Sequence, residues 1–137
     1  MRRPLALLSA SLSALLLAAC ASTVSTGAFK GEEHAIAQTI SNLQGNATAG
    51  EEKKICAEDL AGSVVGRLGG IKGCEKAVKN QINEADNLEV SVESVSVAAG
   101  ASTATARVKS IYSGKHAISA VSLVKEADGK WKISAFS

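Results

Sequence analysis

Few side chains in this sequence are equipped for chemistry, and their spacing narrows the field further. A nucleophilic triad needs a serine or cysteine, a base and an orienting acid that converge in space. The chain has two histidines, His34 and His116, and no G-x-S-x-G elbow; Ala61-Gly62-Ser63-Val64-Val65-Gly66 only approximates one. His34 stands beside Glu32 and Glu33 at a helix start and His116 follows a turn, so both are expected to be exposed. Proton transfer in an enclosed site calls for an interior carboxylate with a raised pKa. Glu89 and Glu93 oppose the apolar phase of their strand and face water, and Glu58-Asp59 lies mid-helix on a face that the pattern leaves open. No catalytic residue emerges. Tyr112 shares its phase with Ala104, Ala106 and Val108 and is expected to point inward, where its hydroxyl needs either a ligand or the solvent at the end of the sheet. A zinc site made of Cys56, Cys74, His34 and His116 lacks any close ligand spacing, so neither metal nor cofactor is expected.

The N-terminus carries the strongest local pattern. Met1-Arg2-Arg3-Pro4 is short and basic, and Leu5 to Leu17 is a run of Leu, Ala and Ser too short to cross hydrocarbon comfortably. Small residues follow, ending in Leu17-Ala18-Ala19-Cys20. This is the layout of a secretory signal. Arg2-Arg3 hints at a twin-arginine signal, which Pro4 and Ala6 fit poorly. The last four residues resemble the lipobox of bacterial lipoproteins, which implies cleavage before Cys20 and a diacylglyceryl group on its sulfur. Residues 1–19 then form the signal, and 20–28 the lipidated cysteine with a short flexible tether of small polar residues.

Residues 20–137 number 118, enough for one domain. The chain has 15 basic and 13 acidic residues; removal of Arg2 and Arg3 leaves 13 against 13. No basic excess remains to favour nucleic acid, and no net field to steer a charged partner. With Cys20 assigned to lipid, Cys56 and Cys74 remain, and export places them where a disulfide is the ordinary fate of such a pair. Asn46-Ala47-Thr48 matches a glycosylation sequon, read as chance beside a bacterial-type signal.

The domain, 29–137, begins with a helical period. Ile36, Ile40, Leu43 and Ala47 share a face, with Glu32 and Glu33 at the start and Gly45 and Gly50 toward the end. A second helix opens at Glu51-Glu52 and carries Ile55, Cys56, Leu60, Val64 and Leu68, with a break near Ala61-Gly62. Four glycines between Gly66 and Gly73 predict a loop. That loop, with Lys72, matches no phosphate-cradling spacing. A third helix runs from Cys74 to Ala85. The period then changes to two. Leu88, Val90 and Val92 are followed by Val95 and Val97, a one-residue jump that predicts a bulge near Glu93-Ser94. The other strands are expected at Ala104 to Tyr112, Ala117 to Lys125, and Lys130 to Phe136 with Trp131, Ile133 and Ala135 alternating inward. In the last hairpin, a three-residue loop Ala127-Asp128-Gly129 sets Leu123 against Ile133, and a two-residue loop sets Val124 there instead.

Helices followed by an antiparallel meander make an α+β fold. This order, and the closing run from Leu123 to Ile133, resemble the nuclear transport factor 2-like superfamily, which includes SnoaL-like and ketosteroid-isomerase-like proteins. Within it the chain is similar to small lipoproteins of actinobacterial type that carry one cysteine in helix 2 and another at helix 3, as Cys56 and Cys74 would be. The resemblance implies N-terminal helices in the concave face of a curved, cone-like sheet. It also implies a β-hairpin between helices 2 and 3, for which residues 62–73 leave little room. The expected function is a lipid-anchored, non-catalytic extracytoplasmic module. It would bind a small apolar ligand in a pocket lined by Tyr112, Trp131, Ala104, Ala106 and Val108, or a protein partner in the envelope. An isomerase- or hydratase-type cavity enzyme and a structural envelope protein are the alternatives.

Overall fold

Alternation of small and branched apolar residues over the last third of the chain builds the sheet on which everything else rests. The computed structural model describes residues 26–84, 89–112 and 114–137. Strands β1 (Glu89–Val97), β2 (Thr103–Tyr112), β3 (Lys115–Lys125) and β4 (Trp131–Phe136) form one antiparallel sheet in the order β1-β2-β3-β4. Among the described residues four α-helices and one π-helical turn precede them, so the fold is α+β.

The predicted bulge is present. Val92 pairs with Val108 and Ser94 with Arg107, which leaves Glu93 as the extra residue of β1. Its insertion returns Val95 and Val97 to the face of Ala106 and Ala104; without it both valines would face water. The Glu93 carboxylate, outside the sheet, pairs with Arg107 at 3.2 Å. The β3–β4 hairpin takes the three-residue loop: Leu123 opposes Ile133, Glu126 N–H donates to the Lys130 carbonyl, and Gly129 adopts φ 80°.

The last strand departs from the expected alternation. Ser122 pairs with Ala135 and Leu123 with Ile133, so Ser134 is a second bulge. Ala135 is turned outward and exposed rather than continuing the inward row of Trp131 and Ile133. The outer edge of β4 is covered here. Leu60 makes a parallel bridge to Ile133, Ala61 N–H donates to the Ile133 carbonyl at 2.8 Å, and Arg67 Nη2 donates to the Ser134 carbonyl. Covering an edge strand satisfies its outward backbone groups and removes a template for aggregation.

Helix α1 (Glu32–Thr48) runs through Gly45 and ends before Gly50, at φ 69°. Its buried Ile36, Ala37 and Ile40 face the sheet, where it contacts β1, β2 and β4. The short helix α2 (Glu52–Lys54) passes directly into a π-helical turn, Ile55–Asp59, closed by the Leu60 N–H on the Ile55 carbonyl. Within the expected loop from Gly66 to Gly73 only Leu68-Gly69 is a turn, and the rest is helical. Helix α3 (Gly62–Arg67) fills the stretch after the extended Leu60-Ala61, and α4 (Gly70–Glu84) begins four residues earlier than Cys74. Gly69 and Gly70, both at positive φ, confine the turn to Leu68-Gly69, whereas Gly66 and Gly73 are helical. No hairpin occupies residues 62–73. The expected positions of Ala85, Leu88 and Ser113 lie outside the described residues.

The buried cluster joins Ile36 and Ile40 of α1, Ile55, Cys56, Leu60, Val65 and Cys74 of the following helical run, and the inward side chains of β2, β3 and β4.

Candidate functional site

Ala104, Ala106, Val108 and Trp131 sit where the sequence phase predicts, all buried on the helix-facing side of the sheet and packed into one cluster with Ile36, Ile40 and Leu123. The side chain of Tyr112 lies outside the described residues, although its backbone pairs with Lys115. Trp131 acts as the rim of this cluster. Its indole N–H donates to Glu32 Oε2, while Glu32 Oε1 receives Lys125 Nζ at 2.8 Å and the same ammonium stands 5.9 Å from the indole centroid. Thr39 Oγ1 donates to the carbonyls of Ala35 and Trp131, tying α1 to the first residue of β4. The bond from Lys125, then that from Trp131, holds the Glu32 carboxyl below its ordinary pKa. These contacts fix the Trp131 ring against α1 and β3.

The cysteines expected to pair do so. Cys56 Sγ and Cys74 Sγ are bonded at 2.07 Å, with 6.0 Å between the Cα atoms, linking the π-helical turn to the first turns of α4. Both thiols are consumed in that bond, which leaves neither as a thiolate for zinc. His34 is exposed, with Nδ1 3.1 Å from the Thr26 carbonyl, and His116 is exposed on β3. Among the described residues no group of three or more His, Cys, Asp or Glu could hold a metal ion. Cys20 lies outside the described residues.

One charged residue in the interior is not singled out by the sequence pattern. Asp59, at the end of the π-helical turn, is 2% exposed and accepts a 2.8 Å hydrogen bond from Asn46 Nδ2 of α1. Burial raises its pKa above 3.8, reinforced by the charge of Glu58 and opposed by the Asn46 bond and by Lys132. A signal does exist in the spacing: Asp59 follows Ile55 by four and Cys56 by three, so any helix that buries those two turns Asp59 inward as well. The same bond explains Asn46-Ala47-Thr48 in structural terms, since that asparagine amide is engaged inside a helix.

The sign of the Asp59 effect can be tested by titration. A raised folded pKa means the folded protein binds the proton more tightly than the unfolded chain. That stabilisation is complete below 3.8 and is lost as pH rises through the raised value. Glu32 works the other way, contributing above 4.5 and losing its effect as pH falls through its lowered pKa. Urea unfolding between pH 4.5 and 7 should therefore show stability falling with rising pH in the parent protein, and this slope should vanish in Asp59→Asn. Equal slopes in the two proteins would reject the assignment.

Among the described residues two shallow concavities stand out, and both open at the surface. One, about 250 Å³, lies among Ser96, Thr103, Thr105, Ser122, Val124 and Ser134 and also takes in Ala104 and Leu123 of the buried cluster. The other, about 270 Å³, is bounded by Gly50 to Lys54. Of the expected pocket residues, Ala104 lines the first; neither is lined by Ala106, Val108 or Trp131, nor by Asp59.

No protein-family model and no curated protein matches the chain. Among solved structures, the crystal structure of the intermembrane space region of the chloroplast protein ARC6 is similar over 73% of this chain and 90% of its own, at 17% identity and a TM-score of 0.43. A likeness at that level carries nothing about function.

Proposed function

We propose that the chain is a lipid-anchored, extracytoplasmic and non-catalytic module of nuclear transport factor 2-like, cone-shaped design that binds a small apolar ligand or a protein partner of the envelope. The observation that carries this reading is the Cys56–Cys74 disulfide. Its sulfurs belong to residues 2% and 0% exposed, so the bond is an internal strut, and such struts persist in oxidising compartments. That agrees with the signal-like N-terminus, in which Cys20 is left for lipid. The bulges at Glu93 and Ser134 favour a bent sheet.

Asp59 supports a second reading, a cavity enzyme with an interior carboxylate as base. Its bond to Asn46 and its absence from both concavities favour the binding module.

The anchor is tested directly. Mass spectrometry of the mature protein should find a diacylglyceryl-modified Cys20 at the N-terminus, and the protein should partition into detergent. Cys20→Ser should release the domain or block its processing, since stable attachment depends on the acyl chains. An unmodified terminus at Ala21 or beyond rejects the anchor.

A further inference from the structure

The mature charge balance of 13 against 13 conceals a separation. Between Arg67 and Lys79 the chain carries Arg67, Lys72, Lys76 and Lys79 against Glu75 alone; the other residues from Cys20 onward carry nine cations and twelve carboxylates. All four of these cations belong to exposed residues, and among the described residues none is in an ion pair. Lys72, Lys76 and Lys79 follow one another at four and three residues along α4, so they form a stripe on one side of the helix. The same segment presents apolar surface. Among the described residues the exposed large hydrophobics include Leu68 at 38% and Ile71 at 48%, which bracket the Gly69-Gly70 turn, with Arg67 and Lys72 immediately outside them.

We infer that the α3–α4 turn and the lysine stripe of α4 form a surface that lies against an anionic phospholipid bilayer, with Leu68 and Ile71 in the headgroup layer. This inference rests on the lipid anchor proposed above. Apolar tips flanked by cations suit the membrane interface, where the side chains gain burial and the ammonium groups meet lipid phosphate. Charge complementarity selects the orientation: the field of the bilayer attracts this segment and repels the rest of the domain, which has three more carboxylates than cations. Chain length enforces proximity. Six residue steps separate Cys20 from Thr26, so the first described residue stands no more than about 21 Å from the anchored cysteine. A neutral domain held that close would have no preferred face; a domain with this charge separation does.

The test uses the mature lipidated protein in vesicles, with a tryptophan introduced at an exposed position and lipids brominated near the headgroup as quenchers. Ile71→Trp should be quenched in vesicles containing anionic phospholipid and much less in zwitterionic vesicles. Ile118→Trp, a comparably exposed site at 49% on β3, should stay bright in both. Buried Trp131 supplies a constant background measured in the parent protein. Each cation at an anionic surface contributes about a five-fold factor, so Lys72→Glu with Lys76→Glu should lower the docked-to-undocked ratio by about 25-fold or more. A protein that fails to partition with vesicles overturns the anchor and this inference with it. Partitioning with Ile71→Trp unquenched, or quenched equally without anionic lipid, overturns the orientation while leaving the anchor intact. An unquenched Ile71→Trp with Lys72 or Lys76 cross-linked to another envelope protein assigns the surface to a protein partner and overturns the lipid.

Discussion

Replacing both Cys56 and Cys74 with alanine is expected to lower the unfolding free energy by about 3 kcal/mol, the entropy-model value for freeing a loop of this size. The two residues are 18 apart in sequence, and the bond holds the π-helical turn against α4. With total stability for a domain on the order of 5–15 kcal/mol, a loss of this size leaves a marginal protein. The measurement is urea unfolding of the parent and the double variant, with the parent also measured after reduction. The reduced parent should unfold close to the variant. If the variant and the parent share a midpoint, the bond is not a principal constraint on the unfolded chain.

Gly73→Ala is the second large effect, and its sign makes it informative. A glycine-to-alanine change inside a helix ordinarily stabilises by up to about 1 kcal/mol. At Gly73 a Cβ would stand 1.9 Å from the Leu68 carbonyl oxygen and 2.9 Å from its carbon, because the Leu68-Gly69 turn folds back over the first turn of α4. Backbone has to move, and a loss of about 3 kcal/mol is expected, in the range of overpacked cores. Gly45, exposed in α1 with nothing within 4 Å of the point a Cβ would occupy, is the control: Gly45→Ala should stabilise. Cys74 adjoins Gly73, so removing the disulfide should relieve part of the Gly73→Ala cost, and a double-mutant cycle should show coupling. Destabilisation of equal size at both glycines would remove the steric explanation.

Where neighbouring residues decide the conformation, the sequence was legible. The jump from Val92 to Val95 could keep both valines inside only through a bulge, and Glu93 is that bulge. Gly129 made the three-residue hairpin loop the natural closure, and Leu123 does oppose Ile133. The glycine-rich stretch misled because glycine count is not conformation. Gly69 and Gly70 turn the chain at positive φ, while Gly66 and Gly73 are helical, and Leu68 comes too close to position 73 for any side chain there. Ala135 departs from the alternation for a reason that lies far upstream: the edge of β4 bulges at Ser134, beside the point where Leu60 bridges to it and Ala61 and Arg67 hydrogen-bond to it.

Period and composition are enough for the α+β order, the inward row of β2, the bulge in β1 and the pairing of Cys56 with Cys74. Each follows from period, turn chemistry or the small number of partners available. It takes the packed fold to show that Asp59 is buried against Asn46 and that Trp131 is clamped by Glu32 and Lys125. Those arrangements join residues from separate elements. Their energies depend on distances and burial that no local pattern contains.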